Sequence, residues 1–429
     1  MFSFFSVSSS GGKWRKRRKM LTPAFHFRVL ESCMTIFNDQ AKVLLRKLHE
    51  SSDLGYVDIF PMMTHCSLDV LCEAAMGIKL QSQRTSEHHY VKNLHSILTV
   101  GMERLNKPWL WWDVAYNMSH QSRKFKGTAL QINQFVREVI QERKKVLRCN
   151  EDKPDGPNCA KAFLDLLIKH HIEDGTFTEE DINEEVNTFL FAGHETTAIG
   201  MTYVLYLLGL YPDIQEKVVQ ELDSIFMGDT EREITREDIS AMKYLECVIK
   251  ESQRLYTIVP LYGRRIEEDM AIGKYTVPRG CTCIILSQMV HRDPRYFPNP
   301  TVFDPDRFLP ENCKGRHPYA FIPFSAGPRN CVGKRSSEHY VSTTVTAPAE
   351  YTLICCRGVQ FSASPNEGRR GQQTEYVSTR LRLGSNQREH ESQPNSDAAL
   401  LQKIVKKEHK QWPCIEAISD MKYLECVIK

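Results

Sequence analysis

The first residue in this chain whose surroundings suit chemistry is Cys331. It stands in Phe324-Ser-Ala-Gly327-Pro-Arg329-Asn-Cys331-Val-Gly333. A thiolate there suits a flat cofactor: glycines let the backbone approach closely, and nearby amides can donate to sulfur. Arg329, two residues earlier, can pair with a carboxylate on such a group. A lone cysteine would read as an incidental buried thiol. The pattern F-x-x-G-x-R-x-C-x-G over ten residues makes that the weaker reading.

Three other constellations accompany it. Ala192-Gly193-His194-Glu195-Thr196-Thr197 places Ala192 and Thr196 four apart, on one face of a helix. Alone, this would be a helix with a glycine and two threonines. Glu251-Ser-Gln-Arg254 sets opposite charges at i and i+3, which in isolation is usually a solvated pair of little energetic value. Lys13-Trp-Arg-Lys-Arg-Arg-Lys19 has six basic residues in seven, on its face a nuclear-localisation or polyanion patch.

The elements that must position these residues are mostly helical up to about residue 260. Thr178-Glu-Glu-Asp181 and Thr235-Arg-Glu-Asp238 both fit the capping box that opens a helix. The first predicts a long helix through the Glu195-Thr-Thr segment, ending at Pro212. A second is expected over 213–226, and a third from Asp238 to about Tyr256, halted by Pro260. Short β-like runs follow at 274–277 and 281–286, then a Pro-punctuated meander.

Composition sets outer bounds. The 429 residues are 41% hydrophobic, 10% aromatic and 25% charged, which is ordinary globular usage. A collagenous, wholly disordered or polytopic membrane chain is excluded. Lys+Arg 56 against Asp+Glu 53 gives +3, too balanced for whole-chain steering toward nucleic acid. The 14 cysteines include no C-x-x-C and read as reduced thiols. The longest uncharged stretch, 196–212, is 17 residues with several polar members and reads as a buried helix.

Together these motifs resemble the cytochrome P-450 superfamily, whose haem-thiolate loop the Cys331 segment matches. The resemblance runs from Gly12 to Gly333. GRHPYAFIPFSAGPRNCVG, HRDPRYFPNPTVFDPDRF and GKWRKRRKMLTPAFHF look most like the animal microsomal family-4 branch, which contains fatty-acid ω-hydroxylases and many insect members. The implied fold is mainly α with a small β portion, incomplete at both ends. Three regions are expected: a leader at 1–12, a partial haem domain at 13–333 and a divergent, unfolded tail at 334–429.

The resemblance implies roles for individual residues. Cys331 is the axial ligand to haem iron, Phe324 packs beside the sulfur, Gly333 closes the loop, and Arg329, Trp14 and Arg18 contact propionates. Arg264 and Arg265 offer a further propionate partner. Small Ala192 and Gly193 leave room for dioxygen, and Thr196 with Glu195 delivers protons to it. Many family-4 members carry Glu at the Ala192 position, which can esterify haem, so no covalent haem link is expected here. Glu251, Arg254 and Arg307 form a buried network behind the haem, with Pro305-Asp306-Arg307-Phe308 replacing the usual Pro-Glu-Arg-Phe. The remaining basic residues of 13–19 face a reductase, His194 is structural, and Trp109, Trp111 and Trp112 pack in the core or at a membrane surface.

By the same resemblance, electrons come from NADPH through cytochrome P-450 reductase, with cytochrome b5 as a second donor. The substrate is hydrophobic and small, no nucleic acid is bound, and the expected location is the cytosolic face of the endoplasmic reticulum membrane, although this chain shows no N-terminal anchor. A competing reading comes from the far end. ISAMKYLECVIK at 239–250 returns as ISDMKYLECVIK at 418–429, identical at 11 of 12 positions. Such a copy, with a strongly polar 364–397, suggests a mis-assembled product that does not hold haem.

Overall fold

The computed structural model describes residues 11–25, 27–51, 55–85, 88–149, 162–175, 177–229, 232–346 and 380–383. Helices dominate. In chain order they are α1 (Gly11–Leu21), α2 (Phe27–Ser32), α3 (Met34–Glu50), α4 (Phe60–Ala74), α5 (His89–Asn106), α6 (Asp113–Met118), α7 (His120–Cys149) and α8 (Phe163–Asp174). Then come α9 (Glu179–Leu210), α10 (Pro212–Phe226), α11 (Arg236–Ala241), α12 (Lys243–Leu255), α13 (Ser287–Val290) and α14 (Lys334–Thr346). Among the described residues no helix is long and apolar enough to cross a membrane.

Strands pair only two by two among the described residues. β1 (Gly55–Asp58) runs antiparallel to β6 (Arg380–Leu383), with Gly55 opposite Leu383. β2 (Tyr262–Arg265) pairs with β5 (Thr282–Ile285), and β3 (Met270–Ile272) with β4 (Tyr275–Val277). β4 and β5 fall within the runs expected at 274–277 and 281–286.

The long helix α9 organises the molecule. Thr178 Oγ1 accepts from the Asp181 N–H at 3.1 Å and Asp181 Oδ2 accepts from the Thr178 N–H at 2.9 Å, so two donors at this helix end are satisfied reciprocally. Its first half buries Ile182, Val186 and Leu190 in one apolar cluster with α4, α5, α7 and α8. Its second half buries Ala198, Met201, Val204, Leu205 and Leu208 in another cluster with α3, α10 and α12. Between them, Phe191, Ala192, Gly193, Glu195 and Thr196 are half-buried. The predicted oxygen segment therefore lies where α9 passes from one core to the other.

The second capping box also forms, Thr235 Oγ1 accepting from Asp238 N–H at 3.3 Å. The helix it opens ends at Ala241, however, because Met242 leaves helical geometry with ψ 69°. Where one helix was expected there are two, and Met242, Leu245 and Ile249 still bury their side chains as one apolar face.

The tail expectation needs correction for its first part. Residues 334–346 form α14, with Tyr340, Val341 and Val345 buried in the core around Phe37 and Leu44. Residues 380–383 supply β6. The near-copy at 418–429 lies outside the described residues, as does most of the expected leader; Gly11 and Gly12, assigned to that leader, begin α1.

Candidate functional site

The Cys331 loop is wound by its own backbone. Cys331 N–H donates to Phe324 O at 2.9 Å, Ser325 N–H to Ile322 O at 3.1 Å and Asn330 N–H to Gly327 O at 3.1 Å. Two turns need left-handed backbone, at Ser325 (φ 59°) and Gly327 (φ 74°). Glycine adopts this freely, whereas serine is held there at a cost of roughly 1 kcal/mol or more.

Around that loop the structure gathers the cations expected from the sequence. Arg18, from α1, donates through Nη1 to Asn330 O at 2.7 Å and through Nη2 to Asn330 Oδ1 at 2.8 Å. The Arg329 guanidinium stands 4.2 Å above the Trp14 ring. Arg264 Nη2 donates to Ser325 Oγ at 3.3 Å. Phe324 lies under the Lys334 ammonium at 5.9 Å. Trp14, Arg18, Phe324, Arg329 and Cys331 thus come together from opposite ends of the described chain.

The electrostatics of this group are uneven. Residue Cys331 is exposed, yet its sulfur is crowded, and desolvation raises its thiol pKa. A hydrogen bond from the Gly333 backbone and the charges of Arg18 and Lys334 oppose that rise, while Glu338 adds to it. Arg329 is lowered first by desolvation and then by the like charge of Arg264. Clustered guanidiniums beside a sulfur ligand suit a group that is both cationic at its centre and anionic at its edge.

A haem is such a group, and the residues present fit one. Among the described residues no three His, Cys, Asp or Glu side chains converge to hold a bare ion. A metal that brings its other ligands with it, as haem iron does, suits a single thiolate such as Cys331. Gly193 lets α9 pack closely on α4: a Cβ there would sit 2.9 Å from Leu71 Cδ2, the tip of a side chain that would have to shift.

Thr196 Oγ1 donates to Ala192 O at 2.7 Å, which leaves its lone pairs available to accept. Thr197 Oγ1 donates to Gly193 O at 2.7 Å and lies 3.4 Å from Ser337 Oγ, so α9 meets the start of α14 next to the Cys331 loop. Glu195 is occupied elsewhere: its Oε1 is 3.6 Å from His95 Nε2 on α5.

The Glu251 network behind the loop is centred on a fully used guanidinium, that of Arg254, while Arg307 Nε makes an ion-pair approach without a hydrogen bond. Arg254 and Glu251 are fully buried. Arg254 Nε donates to Glu251 Oε2 at 2.7 Å and Nη2 to Oε1 at 2.8 Å. Its other N–H groups reach His291 O at 3.0 Å, Pro300 O at 2.7 Å and Val302 O at 3.1 Å. All five guanidinium donors are used. Arg307 Nε lies 3.4 Å from Glu251 Oε1, and Asp304 N–H donates to the same oxygen at 2.9 Å.

Sequence reading missed the residue that connects this network to the loop. His291 Nε2 accepts from Ile322 N–H at 2.9 Å, two residues before Phe324, and Nδ1 pairs with Thr257 Oγ1 at 2.9 Å. Burial, with Arg254 and Arg292 nearby, lowers its pKa to about 3, so the ring is neutral. The quoted run His291-Arg-Asp-Pro contained it, but nothing local marked its partner 31 positions away.

Other expectations shift. Arg17, assigned with its basic neighbours to a partner surface, is buried and paired with Asp181, with Glu184 at 2.7 Å and with Glu185 at 2.8 Å. The basic run therefore docks α1 onto the acidic first turns of α9. Trp109, Trp111 and Trp112 are 63%, 61% and 76% exposed, so core packing does not apply to them. Arg265 lies on β2 beside Arg264, paired with Thr282 in register.

Comparison with known proteins agrees with this geometry. The cytochrome P450 family profile matches residues 4–347. Cytochrome P450 4V2 of Mus musculus is 43% identical over 371 residues, covering 85% of this chain and 69% of that protein. Its Homo sapiens counterpart is 44% identical over 337 residues, covering 77% and 64%. Cytochrome P450 4c3 of Drosophila melanogaster is 44% identical over 342 residues, again covering 77% and 64%. The chain spans about two thirds of the length of these relatives. A crystal structure of a cytochrome P450DA mutant heme domain shares the fold, with a TM-score of 0.71 at 23% identity over 90% of this chain and 80% of that one. The profile reaches thirteen residues past Lys334, through α14, and more than three quarters of the sequence aligns with each relative: this chain belongs to the cytochrome P450 family.

Proposed function

We propose that the chain is a haem-thiolate monooxygenase, inserting one oxygen atom from O2 into a hydrophobic substrate such as a fatty acid. Electrons would come from NADPH through a reductase. The observation that carries the reading is the Cys331 loop, whose sulfur is served by the Gly333 backbone and by the charges of Arg18 and Lys334. Bound haem supplies the redox centre at which dioxygen is reduced and one oxygen transferred. The chain supplies the rest.

Cys331 gives up its proton to become a ligand, and the Gly333 N–H and Arg18 charge stabilise the anion it becomes. Arg329, over the Trp14 ring, and Arg18 would hold the acidic edge of the cofactor. Phe324 and Gly333 shape the wall beside the sulfur. On the opposite wall, small Ala192 leaves space beside Thr196, whose Oγ1, anchored on Ala192 O, accepts and passes on a proton. Glu195 is the acidic group through which that proton passes. Glu251, Arg254, Arg307 and His291 keep the loop from moving.

The test is spectroscopic. The full chain, loaded with haem, reduced and exposed to CO, should give a thiolate-type band that Cys331→Ala abolishes. Survival of the band in the variant would assign the ligand elsewhere. Its absence from the wild-type chain would mean that this chain does not hold haem as a thiolate complex.

A further inference from the structure

The centre of α9 holds a cluster of titratable side chains that reaches the surface. His95, on α5, keeps 45% of its side chain exposed and sets Nε2 3.6 Å from Glu195 Oε1. The other oxygen, Glu195 Oε2, lies 3.7 Å from Nε2 of fully buried His194. His194 Nδ1 rests against Leu190 O, and a carbonyl only accepts, so Nδ1 carries a hydrogen. In a neutral ring this leaves Nε2 as a bare acceptor facing a carboxylate. Among the described residues, neither His194 Nε2 nor Glu195 Oε2 has a hydrogen-bond partner. Two buried acceptors face each other at a cost unless a proton is held in the cluster.

We propose that His95 is the solvent-side proton donor of this site, passing a proton from Nε2 to the Glu195 carboxylate, from which Thr196 is supplied. The inference rests on the monooxygenase reading above. In the step, the Nε2–H bond of His95 breaks and an O–H bond forms on Glu195. The charges of imidazolium and carboxylate disappear together, and Nε2 regains its proton from bulk water. No electrons move and no co-reactant is needed.

The surroundings favour this direction. The Glu195 carboxylate, 3.6 Å away, raises the His95 pKa above its ordinary 6.5 despite burial. Burial instead lowers His194, with Glu195 opposing. The mobile proton therefore rests on the exposed histidine. The groups that face His95 are Glu195 and His194 on α9 and His65 on α4. His65 is lowered by burial, with Lys47 lowering and Asp69 raising it. Phe60 stacks on the His95 ring at 6.0 Å between centroids, which fixes the ring plane.

Two measurements on the full, haem-loaded chain test the assignment. In the first, histidine ring resonances are titrated by NMR. His95 should titrate above 6.5, and Glu195→Gln should bring it down by roughly one unit, the scale on which one such partner acts. A His95 titration indifferent to Glu195→Gln overturns the proposal, whatever the activity. The second separates a proton donor from a mere clamp between α5 and α9. Wild-type product formation should fall as pH rises through the His95 pKa. His95→Gln should lose that limb while keeping the reduced-CO band. His95→Lys keeps the ion pair but titrates near 10.4 as a free group, so the limb should move to clearly higher pH. An unchanged limb in both variants overturns the proposal. Loss of the CO band in the wild-type chain would instead count against the haem reading.

Discussion

Two buried polar regions flank the Cys331 loop, and they are built in opposite ways. Behind it, Arg254 spends every donor it has, on Glu251 and three carbonyls. His291, neutral, accepts from Ile322 N–H and completes the join to the loop. Facing it, the centre of α9 leaves Glu195 Oε2 and His194 Nε2 without hydrogen bonds among the described residues. A saturated guanidinium such as that of Arg254 has one arrangement and resists change. An unsaturated one has lone pairs that a proton can visit. Polar burial therefore does two jobs here, holding a loop still and keeping a proton mobile, and the count of satisfied groups tells them apart.

The sharpest way to break the comparison is at Arg254. Arg254→Ala leaves Glu251 buried and unpaired, which typically costs about 3–5 kcal/mol. Thermal unfolding should shift strongly and haem content should fall with it. Arg254→Lys should rescue little, since an ammonium cannot serve five directions.

Thr196→Ala probes the other region. It should leave unfolding almost unchanged, keep haem, and divert NADPH electrons into peroxide, with product per NADPH falling by roughly 100-fold. Unchanged coupling would remove Thr196 from the mechanism.

A smaller effect sharpens the first region by pH. His291 has a folded pKa of about 3 against an unfolded value near 6.5. The unfolded chain thus binds a proton that the folded chain refuses. Its contribution to stability is full above pH 6.5 and is lost as pH falls toward 3, at up to ~1.4 kcal/mol per unit. Urea midpoints measured from pH 7 to 5 should fall less steeply in His291→Gln. Equal slopes would show that His291 is not held neutral.

The smallest effect lies on the same helix as the largest. Glu246 and Lys250 on α12 form an exposed pair at 2.6 Å, one turn from Glu251. Lys250→Ala should change stability by less than about 0.5 kcal/mol in chemical unfolding. A larger loss would mean that exposure is a poor guide to the worth of a charge pair here.

Much of this was legible because it was local. Thr178 and Thr235 announced their helices through residues three positions on, and the cysteine loop carries its pattern within ten residues. α14 was not legible. Its Ser-Ser-Glu-His-Tyr-Val-Ser-Thr-Thr-Val-Thr run is poor in helix formers, and hydroxyls compete for the backbone. The structure turns that competition inward: Ser342, Thr343 and Thr346 donate to the carbonyls of Glu338, His339 and Ser342 four residues back. Buried hydroxyls satisfied in this way need no polar face, so the helix can sit in an apolar core. The break at Met242 was hidden because the apolar periodicity of 242, 245 and 249 continues through it. His95 and Glu195 lie a hundred positions apart, and no spacing rule joins them. Arg17 was misplaced because a run of like charges hides which member turns inward.

Gly193 and Leu71 carry a consequence for how this sequence can diverge. Alanine would suit the interior of a helix better than glycine by about 1 kcal/mol. Its methyl would nonetheless meet the tip of Leu71, which must first yield. Substitution at 193 is therefore coupled to the rotamer and size of the side chain at 71, and in a double-mutant cycle Gly193→Ala and Leu71→Ala should be non-additive, so two positions 122 residues apart share one packing constraint.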